Sequence, residues 1–209
     1  MTTAIMRFSD YVCPWCAMGE AALAQLQVSR NVELEIRAYE LRPAGSPPMP
    51  PAQEAAFRQR VSESWPRVQR LALERFGLEL KRSEDGSITP TRLAHIATKY
   101  VLSQSAAQAE AFHRAVFRAH WQELRDISAV DVLADLARGV GVDEAAFRAA
   151  LTDPALAAAV EEDEAWANAN GLNGVPAFIL GERYLVSGAQ PLSVLEQAVD
   201  RCEAEGLTV

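Results

Sequence analysis

Cysteine is scarce in this chain: three residues in 209, too few for a disulfide framework. In a reducing compartment, one close pair reads as catalytic or metal-binding rather than structural. Long apolar runs are missing as well. No stretch approaches the ~18 unbroken apolar residues of a membrane helix. No basic segment with an apolar signal core precedes the first strand-like run, so the expectation is a cytoplasmic protein with no membrane partner. A basic surplus is also absent. Lys and Arg number 20 against 28 Asp and Glu, a formal net charge of −8, which argues against a nucleic-acid groove because phosphate binding needs a basic surface. Zinc would want a second CxxC or a histidine pair beside the first, and Cys202, His95, His113 and His120 do not supply that pattern, so no metal is expected. What the chain has is apolar content sufficient for a proper core, 49%, and an ordinary 23% of charged residues.

The length suits one large domain or one domain carrying an insertion. Its most informative segment is Cys13-Pro14-Trp15-Cys16. Two thiols separated by two residues can close a disulfide on one turn of helix and reopen it. The segment follows a strand-like run, Ala4 to Phe8, and opens a helical one, Pro14 to about Ser29. Unpaired N–H groups and the positive end of the helix dipole favour a thiolate there. Pro14 suits the first helical position, where its missing N–H costs nothing. Val32, Leu34, Ile36 and Ala38 then alternate with polar or larger neighbours, the period of a half-buried strand. A βαβ crossover of this kind places its strands parallel in one sheet.

Pattern collapses at Pro43–Pro51, which reads as a linker leaving the sheet. From about Gln53 to Asn170 the sequence is almost wholly helical, with roughly five helices expected. Starts are placed at Thr89 before Pro90, at Ser128 before Asp131 as a short capping box, and at Thr152 before Asp153-Pro154. Stops fall at Gly139-Val140-Gly141 and Gly171, and Glu84-Asp85-Gly86-Ser87 reads as a polar turn. Strand sequence returns at Ala177–Leu180 and Arg183–Ser187 around Gly181-Glu182, a type II′ hairpin signal. Pro191 opens a last helix with Leu195, Ala198, Val199 and Cys202 on one stripe. The fold class is therefore α/β: a βαβ … ββα mixed sheet interrupted by an all-helical insertion. The division is residues 1–45 and 166–209 for the sheet domain, and 52–165 for the insertion.

Gly174-Val175-Pro176 stands immediately before the returning strand. Taken alone, Pro176 reads as an ordinary trans proline opening a strand. Together with the CxxC and this framework it reads as cis, the one kind of bond where cis is cheap. The Val175 backbone would then turn toward a peptide or thiol lying beside Cys13.

These elements together resemble the thioredoxin fold, and specifically the DsbA-like family whose helical domain interrupts the thioredoxin domain; the likeness is greater still to its FrnE-type subgroup. The marks are Asp10-Tyr11-Val12-Cys13-Pro14-Trp15-Cys16-Ala17-Met18-Gly19 and Glu40-Leu41-Arg42-Pro43 early, and Ala94-His95, Asp126-Ile127-Ser128 and Asp131-Val132-Leu133 among the helices. Gly171-Leu172-Asn173-Gly174-Val175-Pro176 and Val186-Ser187-Gly188-Ala189-Gln190-Pro191 complete them. The first and last are specific, the helical ones weak singly. The superfamily also holds 2-hydroxychromene-2-carboxylate isomerases and kappa-class glutathione transferases, which usually carry another residue where this chain has Cys and use glutathione.

Chemistry and resemblance imply the same roles. Cys13 is the nucleophile and Cys16 resolves the mixed disulfide. Pro14 and Trp15 set the balance of the two redox states and contact substrate with Val175 and Pro176, and the resemblance adds His95 at the junction of the two domains. The expected activity is protein-disulfide oxidoreduction on a thiol or disulfide substrate, protein or small molecule. No bound cofactor is expected, glutathione serving as redox partner or co-substrate, and a monomer is favoured over a homodimer. Two other readings compete: a glutathione-dependent isomerase of a small aromatic or polyketide-like substrate, and a redox-regulated holdase. Asp10 and Glu20 flank the thiols and are expected to oppose the thiolate. Cys202 reads as a buried structural thiol, His113 and His120 as satisfied or surface histidines, and Trp65, Trp121 and Trp166 as packing.

Overall fold

The computed structural model describes residues 2–43, 45–83 and 88–209. Among them run β1 (Thr3–Ser9), α1 (Pro14–Ser29), β2 (Val32–Ala38), α2 (Pro51–Phe76), α3 (Arg92–Gln104), α4 (Ala106–Trp121), α5 (Val130–Gly139), α6 (Glu144–Ala150), α7 (Pro154–Ala169), β3 (Ala177–Leu180), β4 (Tyr184–Ser187) and α8 (Leu192–Ala204). The four strands form one mixed sheet in the order β2-β1-β3-β4. β1 runs parallel to β2 from Thr3↔Val32 to Ser9↔Ala38, because α1 carries the chain back across one face. β3 returns antiparallel to β1, Ile5↔Leu180 to Phe8↔Ala177, and β4 follows antiparallel to β3.

Strand β1 sits between two partners, so both of its edges are hydrogen-bonded, and buried clusters cover both of its faces. Ile5 joins the larger buried cluster with Leu23, Leu26, Phe112, Phe147 and Leu195. Phe8 faces the opposite side with Ala167, Leu172, Ala177 and Ile179, and Trp166 stacks on its ring at 5.3 Å. Arg7 shares the Ile5 face by the two-residue period of a strand. It is drawn under α1, buried, with its Nη1 2.6 Å from Glu20 Oε2 and its other terminal nitrogen on Glu110 of α4. A second buried carboxylate, Asp163 of α7, accepts from the Ala38 N–H at 2.7 Å and from Arg37 at 3.0 Å, and pairs with Lys99 of α3. Charged contacts thus bind the helices to the C-terminal halves of both parallel strands.

Several boundaries differ from the expectation, each for a local reason. Among the described residues six helices, α2 to α7, lie between β2 and β3, because Ser105 caps α4 with its hydroxyl on the Gln108 N–H at 3.4 Å. Asp143 caps α6 in the same way on Ala146 N–H at 2.8 Å. Helix α3 begins after Thr91 rather than Thr89. The cap of α5 is Ala129, since Ser128 turns its N–H and hydroxyl back onto Asp126. Asp153 rather than Thr152 caps α7, taking the Ala155 N–H at 2.8 Å. The hairpin after β3 has positive φ at both Gly181 (55°) and Glu182 (56°), with the Arg183 N–H returning to Leu180. That is the type I′ geometry, and β4 starts at Tyr184. The expected stops hold at Gly139 and at Gly171, whose φ is 71°. The Glu84–Ser87 turn, like Ala44 in the linker, lies outside the described residues.

Candidate active site

Cys13 is the N-cap of α1, with extended backbone (φ −90°, ψ 114°) and Pro14 in the first turn. Ser, Thr, Asp and Asn usually fill this position with an oxygen. Here sulfur takes the same place, and Cys13 Sγ accepts the Cys16 N–H at 3.3 Å. Both cysteines are free thiols, Cys13 only 3% exposed and Cys16 fully buried one turn behind. The loop ahead of the helix is closed on itself. Cys13 N–H donates to the Asp10 carbonyl at 3.1 Å, and Asp10 N–H points at Cys16 Sγ at 3.5 Å.

The Val175–Pro176 peptide bond is cis. It brings the Val175 carbonyl to 3.6 Å from Cys13 Sγ, where it accepts from the thiol. Pro176 reaches that position because α1 carries Gly19 against it. A Cβ there would lie 2.8 Å from Phe178 Cζ and 3.2 Å from Pro176 Cγ. Trp15 projects outward, 42% exposed. Cys13, Pro14, Trp15, Cys16, Val175 and Pro176 are therefore brought into one cluster, in which Trp15 is exposed, Pro14 and Val175 are half-buried, and both cysteines and Pro176 are buried. His95 does not join it: 3% exposed, it sits behind the loop with its Nε2 3.5 Å from Asp10 Oδ1 and its ring 4.9 Å from Tyr11.

The two thiols are electrostatically unequal. The Cys16 thiol, donating to Cys13 sulfur, holds Cys13 below the ordinary thiol value despite its burial, and the N–H groups of Cys16 and Trp15 act the same way while Asp10 opposes them. Burial first, then the Cys13 sulfur, push Cys16 well above that value. Asp10 thus opposes the thiolate as expected. Glu20 is engaged elsewhere: burial would raise it, but Arg7 and His113 outweigh burial and hold its carboxyl down.

Residues outside the motif shape the loop. Trp121 Nε1 donates to the Tyr11 carbonyl at 2.8 Å and its ring stacks on Trp65 at 5.8 Å. Tyr11 itself is fully buried, its hydroxyl on Thr98 and 2.8 Å from His113 Nδ1. His113 Nε2 lies 3.2 Å from Glu20 Oε1, off the line of a good hydrogen bond. Burial lowers His120 to about 4, and its ring meets Trp121 edge-on. Cys202 is buried in α8. Two cavities, of about 440 and 540 Å³, are lined by Met49–Arg60 residues and by the α4–α5 surface; neither includes a cysteine. Among the described residues no group of three or more His, Cys, Asp or Glu gathers as metal ligands, and no helix is long and apolar enough to cross a membrane.

A profile of the DSBA-like thioredoxin domain matches residues 4–200. The chain belongs to the DsbA-like thioredoxin family. Within that frame it is 32% identical over 211 residues to the uncharacterized protein YwbO of Bacillus subtilis, covering 95% of this chain and 96% of that one. Among solved structures it resembles a probable DsbA oxidoreductase from Streptomyces coelicolor, with 27% identity, TM-score 0.74, and 97% and 91% of the two chains covered. A 2-hydroxychromene-2-carboxylate isomerase shares the fold at TM-score 0.78 and 22% identity, over 99% of this chain and all of the other. So does the cytosolic disulfide reductase DsbM of Pseudomonas aeruginosa, solved with glutathione, at TM-score 0.69 and 19% identity, with 94% and 99% covered.

Proposed function

We propose that the protein is a thiol–disulfide oxidoreductase of the FrnE-type subgroup, cycling Cys13 and Cys16 between dithiol and disulfide. One observation carries the reading. The Cys13 sulfur caps α1 and accepts the Cys16 N–H at 3.3 Å, with the fully buried Cys16 thiol one turn behind and the Val175 carbonyl in front. A lower-pKa sulfur at the helix start, backed by a fully buried, higher-pKa one, is the arrangement that sequential exchange needs. Cys13 as thiolate attacks a substrate disulfide; that S–S bond breaks, a mixed disulfide forms, and the first substrate thiolate leaves and takes a proton. Cys16 then loses its proton and attacks the Cys13 sulfur, releasing the second substrate thiolate. Two electrons have moved to the substrate, and the enzyme holds a Cys13–Cys16 disulfide. Glutathione, running the same exchange, would restore the dithiol, a role supported by the fold shared with glutathione-bound DsbM.

Substrate in this reading lies over Pro14 and the exposed Trp15 and along Val175 and Pro176, which surround the thiol pair. The thioredoxin-like domain comprises residues 1–45 and 166–209 and the helical insertion 52–165, in support of which the sheet is built only from residues 3–38 and 177–187. A monomer in the cytoplasm, where thiols stay reduced, completes the proposal.

The test is the equilibrium of the pair in glutathione redox buffers, read by mass after alkylation. A reversible two-electron transition between about −120 and −270 mV is expected, abolished in Cys13→Ser and in Cys16→Ser. A stable glutathione adduct on Cys13 with no disulfide, and a Cys16→Ser variant of undiminished activity, would instead indicate a glutathione-dependent isomerase. Aggregation suppressed equally with both thiols blocked would indicate a holdase.

A further inference from the structure

Histidines from two different helices gather around Asp10 and Tyr11, just ahead of the thiol motif. His95 of α3 faces the Asp10 carboxylate and the Tyr11 ring. From α4, His113 bonds the Tyr11 hydroxyl, and His120 packs edge-on against Trp121, which holds the Tyr11 carbonyl. No element of the disulfide exchange described above uses any of them.

Asp10 is the member whose backbone is joined to both cysteines of the motif. Its N–H points at Cys16 Sγ, and its carbonyl accepts from Cys13 N–H. Its carboxylate is only 1% exposed. Oδ2 takes the Leu41 N–H at 2.8 Å from the loop after β2, and Thr91 also favours the ionised group. Oδ1 and His95 Nε2 face each other at 3.5 Å. Both are buried, and among the described residues neither has a hydrogen-bond partner. A buried carboxylate on the residue that holds the thiol loop opposes negative charge on either sulfur, and the imidazole 3.5 Å from it offsets that repulsion. The sign agrees with Asp10 acting against thiolate on both cysteines while His95 favours the ionised Asp10.

We propose that His95 is a positioning residue of the thiol couple, acting through Asp10 to offset the carboxylate charge that faces Cys13 and Cys16, rather than a lining residue of a substrate pocket. The proposal deepens the oxidoreductase reading and rests on it for its functional meaning. The groups that face Asp10 are His95 and Thr91 at α3, His120 on α4, the Leu41 N–H, and the two thiols on α1. The Arg7, Glu20, Glu110 and His113 network lies on the far side of Tyr11.

The experiment compares Asp10→Asn, His95→Gln and the double variant, reading the rate of Cys13 alkylation by iodoacetamide in the reduced protein near neutral pH. Asparagine keeps the acceptor for the Leu41 N–H while removing the charge. Asp10→Asn is expected to alkylate about three- to tenfold faster and His95→Gln more slowly, the scale of one nearby charge. The double variant is expected to match Asp10→Asn, because without the carboxylate His95 has nothing to act through. Opposite signs that collapse in the double variant are not what a loss of packing produces. Changes of the same sign, an undiminished His95 effect in the Asp10→Asn background, or a His95→Gln variant altered only in substrate KM would overturn the proposal. His95→Asn gives a second substitution should His95→Gln not fold, with near-UV circular dichroism as the check. Failure of the wild-type pair to form a reversible disulfide would remove the oxidoreductase reading, while the alkylation rates would still report the charge coupling on their own.

Discussion

Replacing Arg7 by methionine removes the cation between two carboxylates in the middle of the molecule. Arg7 is 1% exposed, and its partners Glu20 and Glu110 are 9% and 17% exposed. The two acids do not lose equally. Glu110 keeps Arg114 at 3.2 Å and some access to water. Glu20 keeps only His113, whose contact is poorly aligned. Breaking a buried ion pair by removing one partner costs about 3–5 kcal/mol. The lower end applies here: burial, reinforced by the charge of Arg7, holds His113 below its ordinary value, and without that charge His113 takes up a proton more readily and partly replaces the guanidinium. A loss of about 3 kcal/mol is a large share of the 5–15 kcal/mol typical of a domain.

The pH dependence identifies the cause. In the wild type Glu20 is held below its ordinary 4.5, so its contribution is complete above that pH and is lost as pH falls through the depressed native value. In Arg7→Met, burial acts without the guanidinium and raises Glu20, so the folded state is penalised at neutral pH and relieved as the carboxyl protonates. The gap between wild type and variant therefore narrows from neutral pH toward about pH 4.5. Urea unfolding at the two pH values measures it. A gap that does not change with pH, or an Arg7→Met/Glu20→Gln protein no more stable than Arg7→Met, would refute the account of an uncompensated buried charge.

Two further substitutions probe the supports of the thiol site. Gly19→Ala gains about 1 kcal/mol of helix propensity, but its Cβ would lie 2.8 Å from the Phe178 ring, an overpacking cost of about 1–3 kcal/mol; a net loss near 1 kcal/mol is expected in urea unfolding, and a stabilised variant would show that the ring yields freely. Trp121→Phe leaves the Tyr11 carbonyl without its 2.8 Å donor, worth about 1–3 kcal/mol for a buried acceptor. Faster hydrogen exchange of the Cys13 and Cys16 amides is expected alongside, and unchanged protection would mean that Trp121 does not brace the loop.

Much of the site was legible because it is local. Cys13 and Cys16 lie on one turn, and Pro14 could only open the helix it opens. The strand alternation at Val32–Ala38 and the stripe on α8 follow from periods of 2 and 3.6 residues. The break between α3 and α4 was harder to read, since Ser105 makes it without glycine or proline. The hairpin signal at Gly181-Glu182 places the turn correctly but gives type II′ where the structure has type I′, because Glu182 accepts a positive φ that its side chain does not advertise. The candidate caps Ser128 and Thr152 were good choices by composition. Their hydroxyls were drawn to Asp126 and to the Ala149 carbonyl instead, since short polar side chains satisfy whichever backbone or neighbour is nearest.

By itself the sequence determined the order of elements, the helix-start setting of the two sulfurs, and the proline before the returning strand, because each rests on bonds between residues a few positions apart. Only the tertiary structure decided what surrounds the thiols. The Cys13 sulfur meets a carbonyl 162 residues away, Tyr11 is gripped by Trp121 across 110, and Arg7 finds Glu110 across 103. Asp10 meets His95 because α3 folds back over the loop. Such pairings are set by which helix faces pack together, and a buried charge or donor then takes the partner that packing brings, not the one its neighbours in sequence would suggest.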